Sequence, residues 1–298
     1  MSRVRRALVQ TAGAVWRLPL PDRLYTKSFG FVRQAVPGGS IQRRHAVDVE
    51  MIGRARTVWL DRHKADAGIV IHLHGGAYLA GPLGGDWDWL STTARARDCA
   101  GLMIDYRLAP DHRHPVALDD VEAVLNELPL SQRPWVLSGQ NAGGGLALVA
   151  LRRRREAGAA LPGGTLLMSP WIDLELNNAT MSETDMHDSF HERRTYHAAA
   201  RIYAARTRLD DPDLSPVGTD LTGLPPLFLA VGTKDIFLTD VRIFRIQLQE
   251  QGLDVTYREV GGRLTFIPRL RRGPELDRLL EQQGDFIAKA FARSASAR

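Results

Sequence analysis

Five consecutive residues, Gly139-Gln140-Asn141-Ala142-Gly143, have the glycine spacing of the nucleophile turn G-x-S-x-G, with asparagine at its centre. The apolar run Trp135-Val136-Leu137 leads in and a helix-forming run from Ala142 through Leu151 leads out, so the stretch reads as strand, sharp turn and helix. Glycine two positions either side lets the backbone take the strained turn that projects the central side chain. Acyl transfer through a covalent intermediate needs Ser, Cys or Thr at that apex. A carboxamide has no ionisable proton to surrender and is a very poor nucleophile, so that step is closed to Asn141.

The histidines lead to the same conclusion. In chains built on this turn the order is nucleophile, then acid, then base, which places the base near the C-terminus. The nine histidines are His45, His63, His72, His74, His112, His114, His187, His191 and His197, and none follows His197. His187 and His191 share a helical face at i, i+4, but no H-E-x-x-H arrangement accompanies them, so no metal is expected. Ser138 and Ser169 are alternative hydroxyls. One precedes the turn and the other ends a strand, and neither has an assigned base.

The elements that must position these residues follow from the pattern. Strands are expected at Gly68-Leu73, Gly101-Tyr106, Trp135-Ser138, Gly164-Ser169, Pro226-Val231 and Val255-Val260. Helices are expected near Trp87-Cys99, Pro115-Glu127, Asn141-Ala157, Leu238-Gln251 and Pro274-Phe291. This alternation argues for an α/β fold with a mostly parallel sheet wrapped by helices, and for an antiparallel edge built from strands around Ala46-Val49 and Ala55-Leu60. Two stretches break the alternation, 1–44 and 173–214, and together are expected to form a helical cap over one domain spanning 1–298.

At 298 residues, 44% hydrophobic and 24% charged, the chain has the composition of an ordinary globular protein. A single cysteine, Cys99, excludes an internal disulfide framework, reads as a small buried hydrophobe and fits a reducing, cytoplasmic setting. The net charge is +5, concentrated in Arg152-Arg155 and Arg269-Arg272. With no aromatic-interleaved basic motif, nucleic acid is not an expected partner, and Arg152-Arg155 read as a solvated face ending a helix. Residues 1–20 read as an amphipathic helix packed over the domain, with polar residues interrupting any membrane span. A homodimer is left open.

Beyond the turn, Ile71-His72-Leu73-His74-Gly75-Gly76-Ala77-Tyr78 and Asp105-Tyr106-Arg107-Leu108-Ala109-Pro110 resemble the hormone-sensitive-lipase-like family of α/β hydrolases. So do Ser169-Pro170-Trp171-Ile172-Asp173-Leu174, Leu224-Pro225-Pro226-Leu227 and Gly232-Thr233-Lys234-Asp235, in the expected order over about 69–291. The resemblance implies the α/β-hydrolase fold, carboxylesterase or lipase ancestry and no cofactor. It also implies an oxyanion hole from the backbone N–H groups of Gly75, Gly76 and Ala142, and an acid at Asp235. The family's Gly-Asp-Ser-Ala-Gly-Gly stands here as Gly139-Gln140-Asn141-Ala142-Gly143-Gly144, and its Pro-Gly-Met-x-His as Gly261-Gly262-Arg263-Leu264-Thr265, which puts Thr265 where the base belonged.

From these residues the expected activity is non-hydrolytic: proton transfer or cyclisation on an apolar carbonyl compound, with Asp235 as a base of raised pKa and the oxyanion hole retained. His74, Tyr78 and Gln140 are expected to line the substrate site, and Trp87, Trp89 and Phe190 to make it apolar. The alternatives are a non-catalytic small-molecule binding protein and a residual carboxylesterase.

Overall fold

The computed structural model describes residues 33–176, 183–262, 264 and 273–296, with the side chains of 183–192, 194 and 295–296 left out. Its centre is an eight-stranded sheet in the order β1-β2-β4-β3-β5-β6-β7-β8. The strands are β1 (Val47–Ile52), β2 (Ala55–Leu60), β3 (Ile69–Leu73), β4 (Ala100–Asp105), β5 (Trp135–Gln140), β6 (Thr165–Met168), β7 (Leu227–Gly232) and β8 (Val255–Val260). β1 and β2 pair antiparallel, β2 joins β4 antiparallel, and the pairings from β4 to β8 are parallel. The interior strands β3, β4, β5, β6 and β7 are buried along their length. That accounts for their near-continuous Val, Ile and Leu content: with helices on both faces, neither face wants polar residues.

Strand order places the site. The chain leaves β3 for β4 on one side and later places β5 on the other, so the connections at the carboxyl ends of β3 and β5 diverge and leave a crevice between them. The loop 74–83 and the turn at Asn141 meet there. Helix α1 (Gly39–Gln42) precedes the sheet, and α2 (Gly84–Arg97), α3 (Val116–Glu127), α4 (Ala142–Glu156), α5 (Glu183–Ala204), α6 (Leu238–Glu250) and α7 (Pro274–Ser296) follow. α5 lies in the stretch between β6 and β7 and reaches over the crevice through Tyr196 and Tyr203. Of the expected cap, residues 1–32 and 177–182 are outside the described residues.

Two expectations about side chains are corrected by packing. Trp87 and Trp89 are buried in a core cluster separate from the one that holds Tyr78, Ala142, Trp171 and Phe237. Their indole N–H groups are spent on Gln34 O at 2.6 Å and Gln283 Oε1 at 2.9 Å. Phe190 has no described side chain. Nor are Arg152-Arg155 a solvated face. Arg152 and Arg153 both pair with Asp213, Arg154 lies over the Trp135 ring and donates to Asn126, and Arg155 donates to Thr222 O. The run ties the end of α4 to the chain on either side of it, while Arg269-Arg272 lie outside the described residues. Cys99 is buried as expected, and burial pushes its thiol up to about 12. Among the described residues no helix is long and apolar enough to cross a membrane.

Candidate active site

The turn between β5 and α4 is sharp because its glycines permit it. A Cβ on Gly139 would meet Gly143 O at 2.2 Å, and one on Gly143 would meet Leu73 O at 2.2 Å and His74 O at 2.5 Å. The α4 N-terminus is thereby pressed against the end of β3. Asn141 sits between them at φ 54, ψ −119, a conformation that costs a non-glycine residue on the order of 1–3 kcal/mol. Its side chain is held at both ends: Oδ1 accepts the Ala77 N–H at 3.1 Å and Nδ2 donates to the Tyr196 hydroxyl at 3.1 Å. The Ala77 contact fixes which end is oxygen, since a backbone N–H can only donate.

Loop 74–83 is braced from below. His74 is buried and donates from Nδ1 to Gly75 O at 2.7 Å. Its ring stacks on Tyr106 at 4.2 Å, and the Tyr106 hydroxyl donates to His74 O at 2.7 Å. Burial is the main reason its imidazole pKa is lowered, which keeps the ring neutral beneath the loop rather than facing the crevice. The Gly75 N–H points toward Asp86 Oδ1 at 3.4 Å, and Asp86 Oδ2 accepts the Leu83 N–H at 2.7 Å, so one carboxylate ties both ends of the loop. Burial alone would raise the Asp86 pKa, but the His72 and His74 rings and the Leu83 N–H outweigh it and hold the carboxyl low. Gly75 therefore spends its N–H away from Asn141, and Ala77, which the sequence did not single out, supplies the one seen to point at it. Backbone donors leave no trace in side-chain identity.

Asp235 lies at the carboxyl end of β7 with a crowded oxygen. Its Oδ2 accepts the Ser169 hydroxyl at 2.5 Å, the Gly232 N–H at 2.9 Å and the Leu264 N–H at 3.0 Å. Three donors on one oxygen fix the carboxylate between β7, Ser169 and Leu264. Gln140 reaches the same loop, donating to Leu264 O at 3.0 Å. Thr265, which follows Leu264 in the chain, is outside the described residues. Tyr78 is 2% exposed and stacked on Tyr203 at 3.7 Å, so it forms a wall of the crevice, with Trp171 at 6.1 Å.

The alternative hydroxyls look different in three dimensions. Ser138 does have a histidine, His72, with Nδ1 at 2.8 Å and Asp86 at 3.2 Å from Nε2. Ser138 is nonetheless fully buried within β5, and its hydroxyl also reaches Ile71 O at 3.0 Å, so it is closed off from the crevice. A second trio, Asp61–His45–Ser91, has the connectivity of a catalytic triad. Asp61 Oδ2 lies 2.9 Å from Nδ1 and Ser91 Oγ lies 2.8 Å from Nε2. Ser91 sits mid-helix at 3% exposure, where neighbouring N–H groups are spent within α2, so no donors await a developing oxyanion. The trio staples α2 to the segment before β1.

That staple has a pH signature. Burial raises the Asp61 pKa, but the Ala46 N–H, His45 and Lys64 more than offset it, and the net shift is downward. Stability from this group is present above the unfolded carboxyl value of about 3.9 and is lost as pH falls through the lower folded value. Asp61→Asn is expected to lower stability at neutral pH and to flatten its fall below about pH 4. Urea midpoints measured from pH 3 to 7 check this; parallel curves for variant and wild type would contradict it.

Comparison with known proteins follows this geometry. The alpha/beta hydrolase fold family profile matches residues 70–265. An acetyl-hydrolase of Streptomyces hygroscopicus is 31% identical over 215 residues, covering 71% of this chain and 72% of its own length. An esterase of Acinetobacter venetianus is 30% identical over 194 residues, and the chain spans 64% of that relative's length. Among solved structures, an esterase from the bacterial hormone-sensitive lipase family superposes with TM-score 0.73 at 26% identity, covering 95% of this chain and 98% of the other. These relatives overturn the expectation of a non-hydrolytic enzyme working by proton transfer or cyclisation, and equally that of a non-catalytic binder.

Proposed function

The chain belongs to the alpha/beta hydrolase fold family, in its hormone-sensitive-lipase-like branch, and from that premise we propose that it hydrolyses carboxylic esters of short acyl groups with water as the attacking species. The observation that carries this reading is the Ala77 N–H aimed at the strained apex residue. A backbone donor stands there at the position where a carbonyl oxygen above Asn141 develops negative charge. With Gly76 and Ala142 beside it, Ala77 forms the oxyanion hole. Ala142 opens α4, whose N-terminal dipole favours the same charge.

Water adds to the acyl carbon as the carbonyl oxygen takes the charge in the hole; the proton that the water loses passes through solvent to the alcohol oxygen, and the C–O bond to that oxygen breaks to release the acid and the alcohol. No side chain becomes acylated, because Asn141 cannot attack. Asp235 holds Leu264 beside Ser169, and Gln140 of the turn donates to Leu264 O. The acetyl-hydrolase relative supports acetyl esters as the first class to test. The aromatic rings of Tyr78, Trp171, Tyr196 and Phe237 around the apex support an apolar alcohol portion.

A hole and a binding site without a nucleophile and base retain about 10³–10⁴-fold acceleration over water. Purified protein is expected to hydrolyse p-nitrophenyl acetate saturably within that range, and to form no adduct with a fluorophosphonate. Initial rates against heat-denatured protein, with intact mass spectrometry after fluorophosphonate treatment, check both. A rate equal to the denatured control would sink the proposal.

A further inference from the structure

The Asn141 carboxamide does more than fail to attack. Its Oδ1 occupies the Ala77 N–H, the group an ester carbonyl would need, and its Nδ2 is held by the Tyr196 hydroxyl from α5, each at 3.1 Å. Asn141 is 2% exposed. The Tyr196 ring is itself fixed edge-on to Trp171 at 4.9 Å and to Phe237 at 5.0 Å, so the hydroxyl is delivered from a packed aromatic corner. A carbonyl oxygen already sits in the hole, and it belongs to the protein.

We infer that Tyr196 is a positioning residue of this site: its hydroxyl latches the Asn141 carboxamide onto the Ala77 N–H, and an ester enters the oxyanion hole only by displacing that internal occupant. The inference rests on the ester-hydrolase reading for its substrate, though the latch is a matter of geometry alone. A residue with a shorter side chain at the apex could not span the distance from Ala77 to α5. The carboxamide can because it carries an acceptor at one end and a donor at the other. The latch also couples the site to the insert: any displacement of α5 that withdraws Tyr196 loosens the occupant.

Tyr196→Phe keeps the ring and its contacts with Trp171 and Phe237 while removing the hydroxyl. The latch loses one hydrogen bond, so KM for p-nitrophenyl acetate is expected to fall by about two- to tenfold, with kcat moving less than KM. A merely structural role would instead depress kcat or raise KM. Asn141→Ala removes the occupant altogether, and on that background Tyr196→Phe should change nothing further, since the two side chains act as one unit.

The readout that needs no turnover is the Ala77 amide resonance in ¹⁵N-labelled protein titrated with sodium butyrate, an unreactive carboxylate. Butyrate should perturb that resonance at lower concentration in Tyr196→Phe and in Asn141→Ala than in wild type. If p-nitrophenyl acetate is not hydrolysed but butyrate behaves this way, the latch stands and the hydrolase reading falls. Equal butyrate response in all three proteins, or none, overturns the latch, as does a Tyr196→Phe effect that persists undiminished on the Asn141→Ala background.

Discussion

Asn141→Ser combined with Thr265→His is expected to raise ester hydrolysis by about 10²–10⁴-fold over the wild type, whereas Asn141→Ser alone should raise it no more than about tenfold. The single substitution restores a hydroxyl at the strained apex and vacates the Ala77 N–H, but leaves no base to deprotonate that hydroxyl, and nucleophile and base act as a unit. The second substitution adds the base next to Leu264, whose N–H already reaches Asp235 Oδ2 at 3.0 Å, so an acid able to orient the ring is close by. Initial rates on p-nitrophenyl acetate for the two variants check it, and the double variant alone should react with a fluorophosphonate. Full recovery in the single variant would mean that another group in the crevice serves as base.

Gly76→Ala is expected to lower kcat by about 10²–10³-fold while the protein still folds. Gly76 has φ +112, a region that L side chains rarely adopt, and an added Cβ would meet Ala80 O at 2.3 Å. The loop cannot keep its path, so the Gly76 and Ala77 N–H groups leave the geometry that a developing oxyanion requires. The sheet and the Asp86 brace at Gly75 and Leu83 lie to either side and are not disturbed. Rates for the variant, with its urea midpoint measured alongside, separate loss of the hole from loss of fold. A variant that folds and keeps its rate would show that the hole is not what accelerates the reaction.

The sheet was legible because burial on both faces enforces uninterrupted apolar runs. β8 falls at Val255–Val260 as the pattern predicts, β3 starts one residue later than expected, and β4 and β7 are each shifted by a residue. The turn at Asn141 was legible too, since only glycines fit two residues either side of it. Less of the site could be read. Ala77 acts through its backbone, so its identity says nothing. Tyr196 lies in an insert with no motif, 55 residues from the side chain it holds.

Trp87 and Trp89 were expected in a pocket because hydrophobicity marks burial without saying what covers it; Trp89 meets Gln283 of α7, 194 residues away, and Trp87 meets Gln34, 53 residues before it. His45 and Ser91 are 46 residues apart, and only the fold joins them. The functional expectation failed for a related reason. Residue chemistry at Asn141 says which step is closed to that side chain and nothing about the groups around it.

The first turnover tests the account most directly. Mixed rapidly with p-nitrophenyl acetate, the protein should release p-nitrophenol linearly from time zero, at a rate well above the spontaneous one, and acid-quenched protein should carry no acetyl group. A stoichiometric burst with an acetylated residue, or no release above the spontaneous rate, would contradict water attack in a retained oxyanion hole.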